Sequence, residues 1–178
     1  MTKLLAWCLT LAAAGLSQAS QAKPEPLDGP NRAFHDDLLD NLQGTWKAIG
    51  PIMGQPRDLN ITAEWVLNHQ FLLVHQKDAK PIEGKPLYEA EVYVGYDNAS
   101  DRYVVHWIDI YGGRTSETLG YGRRMGNSIL FVFEYPDGPF HNTFTWNAGA
   151  KTWRFLLEQK DATGKWTVFA DQTVAKTK

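Results

Sequence analysis

Asp109 is the residue of this chain whose neighbours best equip it for chemistry. It ends an alternation of Tyr103, Val105, Trp107 and Asp109, in which every second residue shares one face of a strand. On an inward face the carboxylate would stand in apolar surroundings, where desolvation raises its pKa unless it is paired. Such a group can bind a cationic or hydroxylated ligand, or act as a general acid. A second, structural reading stands beside the first: the Tyr111-Gly112-Gly113 turn, two residues on, can supply hydrogen bonds to the carboxylate. Asp109 with a histidine as an acid–base pair is the form an enzyme would take here.

His75 and His106 each close an apolar alternation, and Glu64 and Glu117 could approach from neighbouring strands. Two histidines and a carboxylate suit zinc or non-haem iron. These residues lack the short spacing of a metal motif, so satisfied or exposed histidines are the plainer reading, and neither metal nor cofactor is assigned. Nucleophilic chemistry has less to stand on. The one cysteine is Cys8, no Gly-x-Ser-x-Gly elbow occurs, and Ser116 and Ser128 have no recognisable base nearby. Gly120, Gly122 and Gly126 fall in a strand–turn–strand setting with no helix to follow, which is not a phosphate loop. Glu89 and Glu91 read as a solvated strand face, and Arg123-Arg124 as a small basic tip.

The elements that would position these groups begin after a leader. Lys3 precedes an apolar run from Leu4 to Leu16, and Ser20-Gln21-Ala22 puts small residues before a cut at Lys23. A basic start, a short apolar run and a small-residue exit predict a signal peptide over residues 1–22. The run is shorter than the ~20 apolar residues of a membrane span, so stable membrane insertion after cleavage is not expected. Residues 23–33, rich in proline, read as an extended linker, and 34–178 as one domain. The leader takes Lys3 and Cys8 with it, so 18 basic residues become 17 against 20 acidic, and the remaining domain has no cysteine. A net charge of −3 without blocks of like sign makes nucleic acid a poor partner. A domain without disulfides that is exported rests on its core, and a periplasm or secretion is the expected location.

Phe34, Leu38 and Leu42 recur every four residues before Gly44 and predict a short amphipathic helix. From Gly44 onward the period is two. Leu59, Ile61, Ala63, Trp65 and Leu67 share a face; so do Phe71, Leu73 and His75 after a short Asn68-His69 turn. Tyr88 to Tyr96, Tyr103 to Asp109, Thr115 to Tyr121 and Ile129 to Tyr135 alternate in the same way. Three further runs carry Phe140, Phe144 and Trp146; Trp153, Phe155 and Leu157; and Trp166, Val168, Ala170 and Val174. With Gly44 to Gly50 this makes about ten strands joined by hairpin-length turns. The fold class is therefore all-β. An antiparallel up-and-down barrel follows, because closure removes two exposed edges.

Three pieces carry a family resemblance. A short helix runs into Gly44-Thr45-Trp46, similar to the Gly-x-Trp entry of lipocalin-like, or calycin, barrels. Glu64 to Leu72 is followed by Gly95-Tyr96-Asp97, Arg102-Tyr103 and Trp107-Ile108-Asp109. Together these resemble the bacterial DUF1579 family of small β-barrels, over roughly Leu42 to Val174. The resemblance implies the fold and a ligand cavity; the family has no assigned role and no catalytic set to carry over. Nitrobindin-like barrels, more distant relatives, bind haem through a histidine near the chain end. Here none follows His141, and the last strands offer Arg154, Glu158 and Asp171 instead.

The expectation is thus an exported, non-catalytic binder of a small apolar or aromatic ligand, faced by Trp65, His75, Tyr96, Trp107 and Asp109. Trp46 is expected to be structural, closing the barrel base under a stacked Arg154. A structural or interaction module with a filled barrel is the third alternative. Oligomeric state is not legible.

Overall fold

The computed structural model describes residues 33–177. The expected signal peptide, and all of the linker but its last residue, lie outside the described residues. Ten strands follow one another: β1 (Gly44–Ile52), β2 (Gln55–Val66), β3 (Phe71–Asp78), β4 (Glu89–Asp97), β5 (Arg102–Asp109), β6 (Leu119–Met125), β7 (Ser128–Tyr135), β8 (Gly138–Asn147), β9 (Thr152–Lys160) and β10 (Trp166–Lys176). Each pairs antiparallel with the next, and β1 pairs with β10 from Trp46↔Lys176 to Ile52↔Ala170, which closes the barrel. The up-and-down barrel expected from the alternation is the fold that forms.

Apolar side chains pack one half of the barrel solid. Trp46, Ile61, Val94, Phe131, Phe144 and Trp153 are fully buried there, and the segment before β1 covers them as a plug. The four-residue spacing of Phe34, Leu38 and Leu42 yields less helix than expected. After an Asp40 N–H to Asp36 carbonyl turn there is one 3-10 turn, Leu39–Leu42. The reason is local. The Asp36 carboxylate accepts the Leu38 and Leu39 N–H groups, both at 2.9 Å, and starts the turn, while Phe34, Leu38, Leu39 and Leu42 all sink into the barrel end.

The register of β3 also differs from the expected alternation. The β2–β3 turn spans four residues rather than two, with Leu67, Asn68 and His69 at φ of 50°, 57° and 62°. Left-handed backbone costs a non-glycine residue about 1–2 kcal/mol, and His69 is held in it from both sides. Its ring stacks on Trp65 at 4.1 Å, its Nδ1 donates to the Phe34 carbonyl at 2.7 Å, and its carbonyl accepts the Phe34 N–H at 2.9 Å. Trp65 is thereby paired with Leu72. A one-residue change of register exchanges the faces of a strand, so Leu72, Val74, Gln76 and Asp78 point inward and Phe71, Leu73 and His75 outward. Leu67 is exposed in the turn rather than on the inner face of β2.

Another departure follows Gly112-Gly113. The stretch expected to begin a strand at Thr115 forms a single helical turn, α1 (Gly113–Ser116), tied down by the Thr115 hydroxyl and N–H on the Gly112 carbonyl at 3.0 and 3.2 Å. Beyond it, the inner face of β6 carries Gly120 and Gly122 before Arg124, which turns to the plug aspartates. A Cβ at Gly120 would stand 2.6 Å from Val105 and 2.7 Å from Phe133; at Gly122 it would stand 2.6 Å from Phe131. These two glycines make the room that the β7 phenylalanines occupy.

Candidate functional site

The half of the barrel opposite the plug is not filled. A cavity of about 410 Å³ opens among the β1–β2, β5–β6, β7–β8 and β9–β10 ends, within the size range of small-molecule sites. Trp107, Tyr135, Phe140, Leu157 and Phe169 give it apolar, mostly aromatic walls, and Met53 and Tyr111, 71% and 62% exposed, stand at its mouth.

One wall is polar and tightly bonded. Arg57 donates from Nε and Nη2 to the two carboxylate oxygens of Asp78, both at 2.6 Å, and the Tyr88 N–H adds a third hydrogen bond at 2.7 Å. Burial pushes the Asp78 carboxyl up, but these hydrogen bonds outweigh burial and hold it below its ordinary value. Tyr88 lies under the Arg57 guanidinium, 5.4 Å from its ring centre, and accepts the Trp107 indole N–H at 3.1 Å. Burial raises the Tyr88 pKa, so the group remains a neutral phenol. Asp109 accepts the Tyr111 N–H at 2.9 Å, as the turn reading anticipates, yet it also lines the cavity, and desolvation raises its pKa.

The floor is built from residues buried in the barrel: Leu59, Phe133 and Phe155, with Gln76, Asn142 and Gln172 between them. Each carboxamide is 3% exposed, and Gln76 Nε2, Asn142 Oδ1 and Gln172 Nε2 have no hydrogen-bond partner in the protein. An unpaired buried donor or acceptor costs about 1–3 kcal/mol. Three facing one cavity need a reason beyond packing.

The residues expected to face a ligand separate into three groups. Trp107 and Asp109 line the cavity. Trp65 and Tyr96 lie at the plugged end. Trp65 meets Phe34 edge-on, Tyr96 stacks on it, and both ring pairs are 5.6 Å apart. Their polar atoms go to Asp40 and Asp101. His75 lies on the outer face, donating from Nε2 to Glu89 at 2.7 Å, and His106 donates to the Ser116 carbonyl at 2.6 Å. The geometry therefore does not assemble an acid–base pair from Asp109 and a histidine: neither His75 nor His106 lines the cavity. Nor does it bring His75, His106 and a carboxylate to one metal position; among the described residues there is no such cluster.

Trp46 is fully buried and donates to the Leu42 carbonyl at 2.6 Å, but the cation over its ring is Lys176, 5.1 Å away. Arg154 is instead bonded to Asp171 at 2.7 and 2.8 Å. The register explains the exchange: Trp46 pairs with Lys176 across β1 and β10, whereas Arg154 faces away from Trp153, the β9 residue that points inward.

No protein-family model matches the chain, and no curated protein matches it. Among solved structures it is similar to Rv2717c from M. tuberculosis, with a TM-score of 0.51 and 13% identity, covering 79% of this chain and 95% of that one. At that identity the likeness shows the barrel fold alone.

Proposed function

We propose that this protein binds a small, predominantly apolar or aromatic molecule in the open end of its barrel, without covalent chemistry, and does so after export. The observation that carries the reading is the cavity of about 410 Å³ with aromatic walls and a floor of unpaired buried carboxamides. A barrel selected only for stability would fill that volume, since an unfilled core loses packing energy in proportion to its size. Export rests on the leader pattern of residues 1–22. The DUF1579 resemblance supports the barrel and brings no reaction with it.

Tryptophan fluorescence tests the binding reading, because Trp107 is the tryptophan on the cavity wall. Apolar and aromatic metabolites titrated into the protein should include one that produces a saturable change, and Trp107→Phe should remove most of it. A flat response across the panel, or a change that survives Trp107→Phe in full, counts against the cavity. Export is read separately: protein recovered from the periplasm or medium should begin at Lys23.

A further inference from the structure

We infer that the ligand enters the barrel head first and that its buried end is an uncharged polar group, of the amide, hydroxyl or carbonyl kind, bound by Gln76, Asn142 and Gln172. The inference rests on the binding reading above and names the chemistry of the molecule that site takes. The three carboxamides come from β3, β8 and β10, each a polar residue within a mainly apolar inward alternation: Leu72, Val74, Gln76, before Asp78 in its pair with Arg57; Asn142, Phe144; Ala170, Gln172, Val174. Their unpaired atoms are two donors and one acceptor, Gln76 Nε2, Gln172 Nε2 and Asn142 Oδ1. A head that offers a carbonyl to the two donors and an N–H or O–H to the acceptor satisfies all three.

Charge decides against an ionic head. The one cation near the floor, Arg57, already has its guanidinium on both oxygens of Asp78, so no free positive charge meets a carboxylate or phosphate there. Lys160 and Arg114 line the cavity but are exposed at its mouth. The carboxylates of Asp109, Glu117 and Asp137 also line the cavity, but an ammonium head seated among the three carboxamides exchanges its hydration for neutral oxygens, and burying a charge on such terms is costly. The apolar body then lies against Phe133, Phe140, Leu157 and Trp107.

Four probes that share one ring system separate the possibilities: naphthalene, 2-naphthamide, 2-naphthoate and 2-naphthylmethylammonium, titrated into the full-length mature protein by calorimetry and tryptophan fluorescence. The expected order puts 2-naphthamide first, at least tenfold tighter than naphthalene, which is roughly one net hydrogen bond, with both ions weaker than the amide. Gln76→Met and Asn142→Leu should each erase much of the preference for amide over naphthalene while keeping naphthalene binding. Both variants remove an unpaired polar atom and should fold at least as stably as the parent. Naphthalene bound as tightly as the amide, or the naphthoate bound tightest, overturns this inference and leaves the binding reading in place. Binding of none of the four removes both. An amide preference that survives both substitutions places the head elsewhere and also overturns it.

Discussion

Arg57 and Asp78 sit on adjacent strands and meet fork to fork, two hydrogen bonds of 2.6 Å with the Asp78 side chain only 1% exposed. Arg57 lines the cavity beside Tyr88, and a third hydrogen bond to Asp78, from the Tyr88 N–H, holds the residue before β4 next to Trp107. Removing one member leaves a buried charge uncompensated, which costs about 3–5 kcal/mol. Asp78→Asn and Arg57→Met should each lose stability of that order in urea unfolding, and the double change to apolar residues should recover much of it. The folded pKa of Asp78 lies below its ordinary 3.8, so its contribution is present above that value and disappears as pH falls through the folded pKa. The stability gap between parent and Asp78→Asn should therefore be full at neutral pH and close in strong acid.

Asp109 has the opposite sign. Burial raises its pKa above the ordinary 3.8, so its contribution is favourable below that value and is lost as pH rises through the folded pKa. At neutral pH the ionised carboxylate is a cost. Asp109→Asn, which keeps an acceptor for the Tyr111 N–H, should raise the melting temperature at neutral pH. The advantage should vanish toward about pH 3. A melting temperature lowered at both pH values would show that the carboxylate is needed for the turn.

The plug is anchored through Asp36, which accepts the Leu38 and Leu39 N–H groups and the Tyr103 hydroxyl, with Arg124 3.7 Å away. Caps contribute about 0.5–2 kcal/mol and hydrogen bonds to charged groups about 1.5–3 kcal/mol. Asp36→Ala should thus cost about 3 kcal/mol, and Tyr103→Phe about 1–2 kcal/mol. Measured together by urea unfolding, the two losses should fall short of additive, because they share one hydrogen bond. Ligand binding at the far end should survive Tyr103→Phe.

Gly120 and Gly122 offer a comparison within one strand. Overpacking costs about 1–3 kcal/mol, and Gly120→Ala and Gly122→Ala should both destabilise by that much. They should differ in binding. The Cβ at Gly120 presses on Phe133, which lines the cavity, whereas the Cβ at Gly122 presses on Phe131, which does not. Only Gly120→Ala should weaken binding of an aromatic probe several-fold.

The barrel was legible because period two survives wherever one face is buried, and ten such runs with short turns leave closure as the way to remove edges. The face of β3 was not, since it depends on the length of the turn before it, and Leu67, Asn68 and His69 adopt a left-handed conformation that their residue types do not announce. That turn is what puts His75 on the outer face, away from the cavity. Trp65 and Tyr96 lie on inward faces as read, but which end of the barrel they occupy depends on where Phe34 docks, a long-range contact. The carboxamides did leave a sign: Asn142 between Phe140 and Phe144, and Gln172 between Ala170 and Val174, are polar interruptions of apolar alternations. A polar residue at a core position is a packing error unless it is used.

The carboxamide side chains of Gln76, Asn142 and Gln172 give their own signals in ¹⁵N-resolved NMR, and these report on the cavity floor directly. Titration with 2-naphthamide should move all three together, saturably, while the side-chain amide of Asn41 at the plugged end stays where it is. Shifts confined to the plugged end or the outer surface, with the three floor amides unmoved at saturation, would contradict the assignment of the cavity as the binding site.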